Sequence, residues 1–178
     1  MRDHVTFGPP AGNPNGEDAC MAETHRDPDP QPEPELEPGP PAMIVGVDGS
    51  ESSIAALRYA AGLASRLDLR MRAIAVWNYP SFLYGGYYPQ LDWTPEDDAQ
   101  RIVTKAAEEV FGDTRPEWFA TRTRQGRPTE VLIDESARAE MLVLGSRGHG
   151  GFAGLLLGSV SAACAEHAHC PVLVVHGR

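Results

Sequence analysis

The sequence predicts one α/β domain, a five-stranded parallel sheet with helices on both faces. Three observations predict it. Short β-branched runs alternate along the chain with segments that are apolar at helical spacing. Most of those runs are apolar at successive positions, as strands covered on both faces must be. The chain of 178 residues suffices for one well-buried core and is short for two.

The elements follow in order from Met43. "MIVGVD" is a buried strand, and Ser50 can cap the helix after it, where Ile54, Leu57, Ala61 and Ala64 recur on one face. Leu69–Trp77, "LRMRAIAVW", reads as the second strand, and Ala99, Ile102, Val103, Ala106 and Val110 form the stripe of the second helix. "EWFATRTRQ", Glu117–Gln125, alternates with period two, so it belongs at a sheet edge with one face more exposed. Gly126 ends it, and Pro128 suits the first turn of the third helix. Met141–Gly145 is a fourth strand, Val160–His167 a fourth helix and Pro171–Val175 the last strand. Strands alternating with helices in this way give a parallel sheet with right-handed crossovers.

Residues 42–178 are expected to form that domain, and residues 1–41 a disordered acidic tail. The tail holds ten of the sixteen prolines and two arginines against nine acidic residues. Alternating proline and acid favours an extended, solvated chain. Met43 leaves open a second reading in which translation starts there. The formal charge of −10 falls mostly on the tail, so the folded part offers no basic footprint for nucleic acid. No apolar run is long enough for a membrane span, and no apolar leader opens the chain. Three cysteines make no disulfide framework, so a cytoplasmic location is expected. Arginine far outnumbers lysine, consistent with a GC-rich bacterial genome.

The chemistry concentrates in "LVLGSRGHGGFAGLLLGSVSAACAEH", Leu142–His167, where Gly145, Gly148 and Gly158 precede Ser159 in a fixed frame. Ligands of an open α/β sheet bind beyond the carboxyl ends of the strands, where strand order reverses. The frame follows a buried strand and opens a helix. Unpaired N–H groups and a partial positive charge there suit phosphate. Ser159 and Ser161 add hydroxyls and Arg147 a formal charge. The competing reading makes Ser159 a helix cap and the glycines a loose connection. A P-loop is excluded because the only lysine, Lys105, lies in a helix far from any such motif. The first strand ends in "GVDGSESS", not G-x-G-x-x-G, and no G-x-S-x-G elbow occurs.

"MIVGVDGSESSIAALRYA", "RQGRPTEVLIDESARAEMLVLGSRGHGG" and "LLLGSVSAACAEHAHCPVLVV" resemble the universal stress protein family from Met43 to about Val175. The G-x2-G-x9-G-[ST] frame is similar to that of its ATP-binding branch. The resemblance implies strand order 3-2-1-4-5, with ATP across the switch point between strands one and four and Mg²⁺ bridging phosphates. It implies that Val47 and Asp48 lie beside the adenosine, with Gly46 standing where the family often has proline, and that Val76 touches adenine. Leu144, Gly145, Ser146, Arg147 and Gly148 would wrap ribose and phosphates, and Gly158, Ser159, Val160 and Ser161 would cradle the phosphate end. It further implies a homodimer through Pro171–Val175 and a role in stress adaptation or signalling with an unknown partner. A slow ATPase or phosphotransferase, or a scaffold independent of nucleotide, are the alternatives. No catalytic residue is assigned, His149 being the nearest candidate base.

Two features lie outside that reading. Cys164, His167, His169 and Cys170 are close in sequence, but helical spacing puts Cys164 in the core and His169 and Cys170 in the turn beyond, so no metal site is expected. The connection Trp77–Trp93 holds seven of thirteen aromatics. A loop this long suits a lid or a partner surface.

Overall fold

A computed structural model of the chain describes residues 42–79, 94–149 and 156–177. The segment 1–41 and all but the first three residues of the aromatic connection lie outside the described residues, and so do the expectations placed on them. β1 is Ala42–Gly46, α1 Glu51–Leu67, β2 Arg70–Trp77, α2 Pro95–Phe111, β3 Phe119–Gln125, α3 Pro128–Ser136, β4 Ala139–Gly145, α4 Ser159–His167 and β5 Val172–Val175. All neighbours pair in parallel, in the order β3-β2-β1-β4-β5. This is the order the resemblance implied. Among the described residues, no helix is long and apolar enough to cross a membrane.

Helix boundaries follow local chemistry. Gly49 turns the chain at φ +84, a conformation L side chains rarely adopt. The Ser50 hydroxyl then accepts the Ser53 N–H at 3.3 Å and starts α1. Thr94 and Asp97 exchange side-chain and backbone hydrogen bonds in a capping box, with Pro95 opening α2. Pro128 opens α3, as expected. In α4 the first helical residue is Ser159, one earlier than the periodicity indicated, and Gly158 holds the cap position without a side-chain bond.

β1 sits at the centre, and its side chains alternate between two cores. Met43, Val45 and Val47 pack beneath α1 and α2 with Leu57, Met71, Val103 and Phe119. Ile44 faces the other way with Ile74, Leu132, Leu142, Leu144 and Cys164, beneath α3 and α4. Each fully buried Leu, Ile or Met side chain contributes about 1.5–3 kcal/mol. The well-packed centre therefore gives the strand ends a rigid position. β3 and β5 form the two edges. Every residue of β5 is only half-buried.

Candidate functional site

The cleft is built where β1 and β4 lie side by side and their following segments part. It has a volume of about 430 Å³, a size typical of small-ligand sites. Its apolar end is formed by Ile74, Val76, Pro128, Leu132, Leu144 and Val160. Its polar end gathers Asp48, Ser53, Arg147, Gly148, Gly158, Ser159 and Ser161. Gly46, Val47 and Gly145 complete the floor.

The start of α4 faces this polar end. The first bond inside the helix runs from the Ala162 N–H to the Gly158 carbonyl at 2.9 Å. The N–H groups of Ser159, Val160 and Ser161 therefore have no acceptor within α4, and the helix dipole adds partial positive charge there. The helix is pinned by two bonds to the loop after β4. The Gly158 N–H donates to the Ser146 carbonyl at 2.7 Å, and the buried Ser161 hydroxyl donates to the Gly145 carbonyl at 2.6 Å. The Ser161 hydroxyl hydrogen is thus used within the protein. What Ser161 can offer the cleft is its backbone N–H.

The three glycines of the frame serve different purposes. A Cβ on Gly145 would lie 2.7 Å from the Ser52 carbonyl carbon and 2.8 Å from its oxygen, so this glycine lets the end of β4 touch the start of α1. A Cβ on Gly148 would lie 2.4 Å from Asp48 Oδ2. Gly158 differs, because a Cβ there would meet nothing closer than the Arg147 Cα at 3.5 Å. Packing among the described residues explains Gly145 and Gly148; it does not explain Gly158.

The segment between β1 and α1 fixes the loop from the other side. The Ser52 hydroxyl donates to the Arg147 carbonyl, and Ser50 Oγ reaches the same oxygen at 3.4 Å. Asp48 Oδ1 accepts the Ser50 N–H at 3.0 Å and the Ser50 hydroxyl at 2.6 Å, while Oδ2 accepts the His149 N–H at 3.3 Å. Burial alone would raise the Asp48 carboxyl pKa. The hydrogen bonds from Ser50, Ser53 and His149 outweigh it and hold the group below the ordinary carboxylate value. Asp48 is therefore a fixed anion at the cleft mouth. The exposed His149 ring lies with Nδ1 3.8 Å from Asp48 Oδ2.

Twelve of the thirteen residues singled out in the sequence line this cleft. Ser146 is the exception. Its side chain is buried, and its backbone bonds Val175 and Gly158 instead. Ser53, Ile74, Pro128, Leu132 and Leu157 line the cleft without having been singled out. Ile74 was within reach, since it shares a strand face with Val76, whereas Pro128 and Leu132 enter only through the docking of α3. Cys164 lies in the core as expected, and burial raises its thiol pKa. His169 sits in the turn, where its N–H bonds the buried Ser136 hydroxyl at 2.9 Å. Among the described residues no cluster of three or more His, Cys, Asp or Glu could hold a metal.

A parallel sheet of this order, with its cleft at the strand-order reversal, defines the doubly wound α/β class of ligand-binding proteins. The universal stress protein family model matches residues 41–176, and the chain belongs to that family. It is 34% identical over 139 residues to a universal stress protein of Mycolicibacterium smegmatis, covering 76% of this chain and 46% of the relative. It is 35% identical over 136 residues to universal stress protein Rv2623 of Mycobacterium tuberculosis, covering 74% and 44%. The chain thus spans about half the length of the curated relatives it matches. Among solved structures it is similar to a universal stress protein in complex with cAMP, at 25% identity and TM-score 0.59, covering 78% of this chain and 98% of that one. The UspA protein of Lactobacillus plantarum shares the fold, at 22% identity and TM-score 0.57, covering 76% of this chain and 97% of that one.

Proposed function

We propose that this chain binds an adenine nucleotide, ATP in particular, and acts as a nucleotide-dependent stress-adaptation or signalling module in the cytoplasm. The observation that carries the reading is Gly158. It is a cap residue with room for a Cβ, at the mouth of a cleft that joins an apolar pocket to a helix amino terminus. A base suits the end formed by Val76, Leu132 and Leu144; phosphates suit the backbone N–H groups of Ser159, Val160 and Ser161 with Arg147 nearby. The similar protein solved with cAMP supports the choice of an adenine nucleotide.

Asp48 is the one carboxylate among the described cleft residues, and it already accepts three hydrogen bonds from Ser50 and His149. Mg²⁺ would therefore be held chiefly by the phosphates, where it neutralises their charge. The apolar β5 edge supports a homodimer, because an unpaired edge of this kind favours a partner strand. The test is denaturing extraction of freshly purified protein followed by chromatography of the released nucleotide. Co-purified ATP supports the reading. Steady phosphate release above a blank, lost in Gly158→Val, would move the protein to the ATPase class. Folded protein that carries no nucleotide and gains none from MgATP would refute it.

A further inference from the structure

α3 supplies part of the apolar wall of the cleft, and its docking on β2 and β3 converges on one carboxylate. Pro128, Leu132 and Glu135 are spaced four and three residues apart, so they share one stripe of this nine-residue helix. Pro128 and Leu132 line the cleft. Glu135 continues the stripe one turn further, with its carboxylate 3.9 Å from Arg72, 3.9 Å from Arg122 and 3.6 Å from Arg124. These arginines adjoin the cleft floor. Arg72 shares a strand face with Ile74 and Val76, and Arg122 and Arg124 stand opposite those two residues.

A helix this short does not hold its place unaided, and its cap residue Arg127 makes no side-chain bond to it. Contacts with its neighbours must therefore set its position. On the α4 side, the Ser136 hydroxyl accepts the His169 N–H at 2.9 Å. On the β2–β3 side, the described ion pairs all end on Glu135, whose side chain is only 13% exposed. Burial works most strongly against the charge on Arg72; Glu135 sustains that charge, while Arg122 and Arg70 oppose it. Taking the charge off Glu135 would leave the guanidiniums crowded around a site that no longer attracts them. Breaking a mostly buried cluster from one side costs far more than losing an exposed pair.

We infer that Glu135 is a positioning residue for base recognition: by drawing α3 onto these arginines, it holds Leu132 against the apolar end of the cleft. The inference rests on the nucleotide reading of that cleft and extends it to a residue that does not line it. Leu132 already packs tightly at the end of β1, where its Cδ1 would lie 3.1 Å from a Cβ on Gly46. A displaced α3 would therefore change the width of the apolar end. The phosphate end is built on α4 and the loop after β4, whose described hydrogen bonds do not involve Glu135. Adenine covers more apolar wall than uracil does, so displacement of that wall should cost MgATP more than MgUTP.

The experiment titrates MgATP and MgUTP calorimetrically into the nucleotide-stripped full chain, with circular dichroism confirming that each variant is folded. Wild type should bind MgATP at least about tenfold more tightly than MgUTP. Glu135→Gln, which keeps the shape and drops the charge, should lower that ratio at least about threefold and leave MgUTP affinity within about twofold. Glu135→Asp keeps the charge on a shorter stem, so its ratio should fall between those of wild type and Glu135→Gln. In a Leu132→Val background, Glu135→Gln should lower the ratio less than it does alone, because residues that act through one another are not additive. An unchanged ratio in either variant, equal losses for both nucleotides, a lower ratio in Glu135→Asp than in Glu135→Gln, or full additivity with Leu132→Val would each overturn the inference and leave the nucleotide reading standing. Wild type that binds both nucleotides alike would do the same. Folded wild type that binds neither would refute the nucleotide reading itself, and this inference with it.

Discussion

Gly145 and Gly158 belong to one glycine frame, yet the structure expects opposite outcomes from substituting them. In Gly145→Ala the new methyl would sit 2.6 Å from Ser52 Oγ and 2.7–2.8 Å from the Ser52 carbonyl. Backbone cannot swing aside as a flexible side chain can, so the end of β4 and the start of α1 must separate. Overpacking of this kind costs about 1–3 kcal/mol. For a domain of this size that lowers the melting temperature by about 3–12 °C. In Gly158→Val the backbone at φ −69 and ψ 159 is already extended, which a β-branched residue adopts without strain, and its Cβ meets nothing within 3.5 Å. Val is a poorer helix cap than Gly, which costs about 1 kcal/mol at most, so the melting temperature should fall by no more than about 4 °C. Its added methyls would face the bound phosphates, so affinity for MgATP should fall at least about tenfold, or 1.4 kcal/mol. Thermal unfolding by circular dichroism and calorimetric titration separate the two effects. A Gly145→Ala protein that melts like wild type would refute the packing argument. A Gly158→Val protein with full affinity would refute the cradle.

Asp48 makes stability depend on pH in a stated direction. Its native pKa lies below the ordinary value of 3.8, so its contribution is complete above that value and is lost as pH falls through the lower native one. Urea midpoints in acid should therefore fall less steeply for Asp48→Asn than for wild type; parallel curves would contradict this. Ser161→Ala removes the buried donor to the Gly145 carbonyl. It should lower stability by about 1–3 kcal/mol in urea titrations and loosen the start of α4; unchanged stability would contradict the bond's importance. Cys164 is fully buried, with its thiol pKa raised by burial. Mass spectrometry after brief alkylation should find Cys170 modified before Cys164 in native protein, and early labelling of Cys164 would contradict its place in the core.

Much of this was legible in the chain because the signals are local. The β-branched run of β1, the Ser50 cap and Pro128 each declare themselves within a few residues, so element order followed directly. The family resemblance added strand order, which periodicity alone does not contain. What escaped the sequence depends on partners far along the chain. Gly145 meets Ser52, and Gly148 meets Asp48, each about a hundred residues away. The Ser161 hydroxyl looks like a phosphate ligand in the motif, but it is taken by a carbonyl that only the packing of α4 on β4 supplies. Ser146 sits inside the motif and yet turns away, because its backbone closes onto β5 and Gly158. The meeting of Arg72 and Arg124 at Glu135 needs the β2–β3 register and the docking of α3, since the two arginines lie fifty-two residues apart in sequence.

Calorimetric titration of MgATP into nucleotide-stripped, folded protein tests the central claim most directly. Saturable binding at one site, with a dissociation constant in the micromolar range or tighter, is the result the cleft calls for. Absence of binding by protein whose circular dichroism and cooperative melting show an intact fold would contradict it.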